Sequence, residues 1–142
     1  MLAQEPVSTI MTRSVVTVQM HSRLREAEKL MKRNHIRHMP VVDGERLGGM
    51  LSLNDLLRLS FVDAYGYEEE EAVDTTIYQM LTVEQVMATR PRAVRASQPI
   101  HRIAEIFTQE HFHALPVVEG NQLVGIVTTT DVIRYLMEKC QE

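Results

Sequence analysis

Slid 76 residues along itself, this chain of 142 residues overlays without a gap. Val7, Met11, Val18, His35, Pro40, Val41, Val42, Gly44, Leu47, Gly49, Asp55 and Arg58 meet identical residues at Val83, Met87, Val94, His111, Pro116, Val117, Val118, Gly120, Leu123, Gly125, Asp131 and Arg134. These twelve identities fall within 52 aligned positions, against roughly three expected from average amino-acid usage. Elsewhere the pairs keep their character, as in Leu24 with Ile100 and Met31 with Phe107. A duplication this regular restricts the fold to two copies of one supersecondary unit. About 52 residues bury too little surface to be comfortable alone, so the copies are expected to share a core.

Within each copy the order of elements can be read from patterning. Val7 to Met11 reads as one helical turn, and Val15 to Val18 as a short β-branched strand. From Arg23 to Asn34 the apolar residues Leu24, Ala27, Leu30 and Met31 recur at helical spacing. Met39 to Val42 and Leu47 to Leu51 flank Asp43-Gly44, a hairpin signal because glycine adopts positive φ without steric penalty. Ser52 then opens a helix carrying Leu56, Leu57 and Leu59. The second copy repeats the scheme through Pro116–Asp131. Between the copies, Asp63, Glu68 to Glu71 and Asp74 stand without any Lys or Arg in residues 61–81. That stretch reads as an exposed acidic connector, with Tyr78, Met80 and Leu81 as the anchor of the second copy.

The opening turns that end in Met11 and Met87, the Pro-Val-Val-(Asp/Glu)-Gly hairpins and the closing Gly-x-x-(Ser/Thr)-x-x-Asp resemble, in order and spacing, the CBS domain (named after cystathionine β-synthase) present as a tandem pair, the Bateman module. The resemblance covers about residues 7–136. It implies an α+β fold of two β-α-β-β-α repeats packed as a pseudo-two-fold pair, with the first repeat at 7–60, the acidic connector at 61–81 and the second repeat at 82–138. It also implies clefts between the repeats that bind AMP, ADP or ATP, with no cofactor required. Such pairs commonly form homodimers and regulate a separate partner protein. S-adenosylmethionine sensing, or an interaction module that dimerises and binds no nucleotide, are the alternatives.

The resemblance assigns Asp55 and Asp131 to a ribose diol. A carboxylate suits this task because it accepts charge-assisted hydrogen bonds from both hydroxyls. Ser52 and Thr128, three residues earlier, would face the first phosphate together with the helix amides. The same Ser/Thr-x-x-Asp spacing is also a capping box that starts a helix with no ligand, and recurrence after Gly49 and Gly125 favours the ligand reading. Before each hairpin proline, Arg37 and His38 in the first copy and His113 in the second are the phosphate candidates, Ala114 being the lost fourth. For His35 and His111 a structural role at a helix end is favoured. For the base, the family pattern groups Thr12, Val16 and Thr17 with His113, Thr128 and Asp131. It groups Ala88, Arg92 and Ala93 with Arg37, His38, Ser52 and Asp55. Val16 is as readily ordinary core.

The charge balance suits an anionic small ligand. Removing the six connector acids leaves 15 basic against 13 acidic groups, without the clustered basic stripe that duplex nucleic acid requires. Neither metal-ligand spacing nor a catalytic motif occurs, so no metal site and no enzyme are expected. The methionines on apolar faces read as core filler. A single cysteine, Cys140, excludes an internal disulfide. With no signal peptide and no apolar run of membrane-spanning length, a cytoplasmic protein that neither enters a membrane nor binds nucleic acid is expected.

Overall fold

A computed structural model describes residues 4–64 and 79–141. Most of the acidic connector, including Glu68 to Glu71, Asp74 and Tyr78, lies outside the described residues. The chain divides into two compact units, one of residues 16–90 and the other of residues 1–15 with 91–142. They are named the α1 unit and the α4 unit after the helices below.

The α1 unit contains β1 (Val18–Gln19), α1 (Leu24–Asn34), β2 (His38–Asp43), β3 (Arg46–Ser52), α2 (Leu53–Ala64), α3 (Val83–Val86) and β4 (Ala88–Thr89). β1 runs parallel to β2, as the α1 crossover requires. β2 and β3 form an antiparallel hairpin, and β4 adds antiparallel to β3. Asp43 opposes Arg46 across a two-residue loop, which Gly44 enters at φ 66°, a conformation glycine adopts without steric cost. One face of α1 buries Leu24, Ala27 and Met31 against Met39 and Val41 of β2, Leu51 of β3 and Leu56 of α2. At about 1.5–3 kcal/mol for each large apolar side chain removed from water, this cluster dominates the unit's stability.

The α4 unit repeats the plan with β5 (Val94–Arg95), α4 (Ile100–Gln109), β6 (Ala114–Glu119), β7 (Gln122–Thr128) and α5 (Thr129–Cys140). β5 is parallel to β6, β6 antiparallel to β7, and Gly120 takes φ 62° at the hairpin loop. Ile103 and Ile106 of α4 pack with Leu115, Val117, Val127 and Val132. The α+β class and the repeated unit are as the sequence implies.

The compact units do not coincide with the sequence copies. The first copy's opening turn, Val7–Thr9, belongs to the α4 unit, where Val7 and Met11 join the second copy's core. Reciprocally, Val83 and Met87 join the core of the first copy. Backbone bonds fix both exchanges. In the α4 unit the Val7 amide donates to Gln98 O (2.7 Å), and Thr12 and Ile126 exchange both amide bonds at 2.8 and 3.0 Å. In the α1 unit the Val83 amide donates to Ser22 O (2.8 Å) and that of Leu24 to Leu81 O (3.1 Å). The α4 unit has an additional tie. Tyr135 Oη donates to Glu5 Oε1 (3.2 Å), and Lys139 Nζ lies 3.5 Å from the same oxygen.

Three local expectations are revised. The strand anticipated at Val15 to Val18 begins only at Val18, while Val16 packs against the α1-unit core. The opening turn is a short 3-10 turn over Val7–Thr9. The glycines before the Asp helices have a steric reason of their own. A Cβ on Gly125 would lie 2.6 Å from Met11 Sδ and 3.0 Å from Thr12 O; one on Gly49 would lie 2.5 Å from Met87 Sδ and 2.7 Å from Ala88 O. These positions are small because an exchanged segment passes over them, so they add nothing to the ligand reading.

Candidate functional site

Each unit carries one cluster of candidate residues where a hairpin strand ends and a helix begins. In the α4 unit the Asp131 amide donates to Thr128 Oγ1 (3.2 Å), and the Thr128 amide donates to Asp131 Oδ2 (2.8 Å). In the α1 unit the Asp55 amide donates to Ser52 Oγ (3.2 Å), while the Ser52 amide and hydroxyl both donate to Asp55 Oδ2 at 2.9 Å. Both are reciprocal capping boxes, so the capping role is realised twice. It engages one carboxylate oxygen only. Oδ1 of Asp55 contacts Arg58, and Oδ1 of Asp131 lies 3.8 Å from Arg134 Nη1. The two carboxyl side chains are 18% and 15% exposed, so they reach solvent without projecting into it.

The hairpin register brings further candidates to the same place. His38 is the cross-strand partner of Ser52, and the preceding carbonyl, Arg37 O, accepts from the Leu53 amide (2.7 Å). In the α4 unit Ala114 opposes Thr128, and His113 O accepts from the Thr129 amide (3.0 Å). The exchanged segments then lie along the second strand of each hairpin. Ala88 pairs with Met50, two residues before Ser52, and Thr12 pairs with Ile126, two residues before Thr128. Thr12, His113, Thr128 and Asp131 therefore form one group, and Ala88, Arg37, His38, Ser52 and Asp55 the other. The exposed side chains of Thr12, Arg37, Ala88 and His113 stand in contrast to the half-buried hydroxyls beside them.

The remaining candidates belong to the unit opposite the one that carries their grouped aspartate. Val16 and Thr17 lead into β1 of the α1 unit, and Arg92 and Ala93 lead into β5 of the α4 unit. Arg92 Nε faces Glu110 Oε2 at 3.9 Å, an ion pair too long for a hydrogen bond. His35 takes φ 53° as the left-handed C-cap of α1, the structural role favoured for it. His111 does not repeat that role, since α4 ends at an extended Glu110. Arg58 and Arg134 went unassigned in the sequence reading, although both are among the twelve repeated identities and sit three residues beyond each aspartate, where side chains meet on a helix. Among the described residues no group of three or more His, Cys, Asp or Glu could hold a metal ion, and no helix is long and apolar enough to cross a membrane.

Two hairpin-centred α+β units, each with its hairpin leading into a helix capped at an aspartate, define a tandem-repeat architecture. The chain belongs to the CBS domain family, whose model matches residues 7–61 and 83–138. It is 30% identical to the CBS domain-containing protein YhcV of Bacillus subtilis, over 89% of this chain and 81% of that protein. The structure of the CBS-pair protein CBSX2 from Arabidopsis thaliana is similar, with a TM-score of 0.81 at 25% identity, covering 97% of this chain and 98% of that one. CBSX2 has also been solved in complex with AMP (TM-score 0.78, 25% identity, 96% and 98% covered). Other curated relatives are much longer. The chain spans 14% of the A-adding tRNA nucleotidyltransferase of Geobacter sulfurreducens, to which it is 28% identical over 92% of its own length.

Proposed function

We propose that this chain is a regulatory ligand sensor that binds an adenine nucleotide at its capped aspartates and transmits occupancy to a partner protein. The observation that carries the reading is the division of labour in each carboxylate. Oδ2 holds the helix start, while Oδ1 takes no part in the cap and faces Arg58 or Arg134, and the strand segment of Thr12 or Ala88 pairs two residues before the capping hydroxyl. An adenosine fits this chemistry: its ribose hydroxyls donate to the carboxylate and the adenine edge meets strand amides. Phosphates extend toward the helix amides, with Arg37 and His38 in the α1 unit and His113 in the α4 unit. The complex of the similar CBSX2 with AMP supports the same ligand class. We assign the chain no catalysis of its own, since the relatives named for enzymes match it over a small part of their length.

Calorimetric titration with AMP, ADP, ATP and S-adenosylmethionine tests the reading. Saturable binding of an adenine nucleotide is expected. Preference for S-adenosylmethionine would replace the ligand, and no binding of any of the four at millimolar concentration would overturn the sensor in favour of a pure interaction module.

The same proposal includes a homodimer. Ile133, Leu136 and Met137 are exposed on α5 at i, i+3 and i+4 spacing, and Leu57 is exposed at the matching position of α2. Such an apolar stripe on a helix otherwise amphipathic marks an interaction face. Ile133→Asp combined with Met137→Asp is expected to shift the sedimentation coefficient from that of a dimer to that of a monomer. A wild-type chain that sediments as a monomer at micromolar concentration rules the homodimer out.

A further inference from the structure

The ribose reading leaves one contact without a purpose, the arginine on the outer oxygen of each aspartate. Oδ2 of Asp55 accepts from the amide and the hydroxyl of Ser52, and Oδ2 of Asp131 accepts from the amide of Thr128. Oδ1 takes no part in the cap of either unit: the guanidinium of Arg58 contacts it in the α1 unit, and that of Arg134 lies 3.8 Å from it in the α4 unit. At Asp55, where Oδ2 already accepts twice, a diol donating two hydrogen bonds meets the arginine on Oδ1; at Asp131 the arginine makes no hydrogen bond and opposes the ligand through its charge alone. The arginines are 76% and 66% exposed, whereas the aspartates are half-buried and held by their caps. The arginine is therefore the partner free to move, by rotation of its long side chain into solvent.

Resting on that reading, we propose that Arg58 and Arg134 are latch residues: each competes with the ligand's diol for Oδ1 of its aspartate and sets the affinity of its unit. They are positioning residues that act through the carboxylate, and release of a guanidinium from the helix surface is the change that ligand binding produces there. The two latches differ in strength. Arg58 sits in contact with Oδ1, and Ser52 donates its hydroxyl to the same carboxylate; Arg134 stands off at 3.8 Å. The α4 unit is the more weakly latched and fills first.

Adenosine, which carries no charge, isolates the competition from any attraction between arginine and phosphate. An exposed ion pair contributes little and is screened by salt, so the expected effects are small and have a definite sign. Arg134→Gln should bind adenosine roughly two- to five-fold more tightly than wild type, the range an exposed pair supplies, and Arg58→Gln should gain at least as much at its own site. Wild type should also bind adenosine more tightly as salt rises from about 0.01 to about 1 M, over which the screening length falls from roughly 30 to 3 Å. The arginine variants should lose that dependence. A role confined to helix stability would leave adenosine affinity and its salt response unchanged. Equal or weaker binding by the variants, or a salt-insensitive wild type, overturns the latch. If Asp131→Asn and Asp55→Asn abolish binding while the arginine variants are silent, the ribose assignment stands and the latch alone fails. If the Asn variants bind as wild type does, or no form binds adenosine at millimolar concentration, the ribose assignment falls and takes the latch with it.

Discussion

A chain carrying Val7→Asp is expected to lose hydrogen-exchange protection in α4, β6 and β7, more than ninety residues away in sequence, before it loses protection in α1, β2 and β3. Val7 is fully buried among Val94, Ile103, Ile106, Leu115, Val117, Val127 and Val132. Removing its side chain forfeits about 1.5–3 kcal/mol of burial. Placing a carboxylate there adds a desolvation penalty of several kcal/mol, because no cation of the cluster meets it. A loss on the order of 5 kcal/mol is comparable with the whole stability of a domain this small, about 5–15 kcal/mol. Val83→Asp is the reciprocal variant: Val83 is equally buried in the α1-unit cluster, so protection should fail first at Met31, Met39, Val41 and Leu51. If each opening turn instead packed with its own copy, the two patterns would be interchanged. Exchange followed by mass spectrometry, with global stability from urea titration, separates the outcomes.

That interchange marks where sequence reasoning reached its limit. The repeat, the hairpins and the amphipathic helices were legible because each depends on local chemistry: a glycine at positive φ, or apolar residues returning at a fixed period. Which core receives an opening turn is a different kind of fact. Val7 and Met11 are identical to Val83 and Met87, so either turn offers either core the same apolar face, and composition cannot distinguish them. A partial clue lay in Gly49 and Gly125, whose missing Cβ makes room for Met87 and Met11. A glycine repeated inside a strand signals close backbone approach, but not the identity of the backbone that approaches.

The candidate site was legible to a similar depth. Ser/Thr-x-x-Asp specified the cap, and the cap is formed in both units. The register across each hairpin then brought His38 to Ser52 and Ala114 to Thr128, as the spacing from the hairpin prolines allows. Arg58 and Arg134 were overlooked because an Asp–Arg pair three apart on a helix is common and contributes little when exposed. Their proposed role depends on which carboxylate oxygen they face, and a sequence does not distinguish Oδ1 from Oδ2.

Capping and ligand binding can be separated by two substitutions that act in opposite directions. Asp131→Asn keeps an oxygen able to accept from the Thr128 amide (2.8 Å in the native chain), so the helix start is retained, but the negative charge is gone. Hydrogen bonds to a charged group contribute about 1.5–3 kcal/mol, so nucleotide affinity at this site should fall about 10- to 150-fold, with little change in melting temperature. Thr128→Ala does the reverse. It removes the oxygen that accepts from the Asp131 amide (3.2 Å) and leaves the carboxylate charge in place. Stability should drop by about 0.5–2 kcal/mol, the usual cost of losing such a cap, while affinity changes far less than in Asp131→Asn. If the aspartate served the cap alone, Asp131→Asn would bind as wild type does, and any loss of affinity in either variant would follow its loss of stability. Isothermal titration with AMP, alongside thermal melts of both variants, distinguishes these patterns. Because Asp55 holds the same position on Ser52 through one additional hydrogen bond, Asp55→Asn should follow the Asp131→Asn pattern at the α1 unit and identify which of two binding steps belongs to which unit.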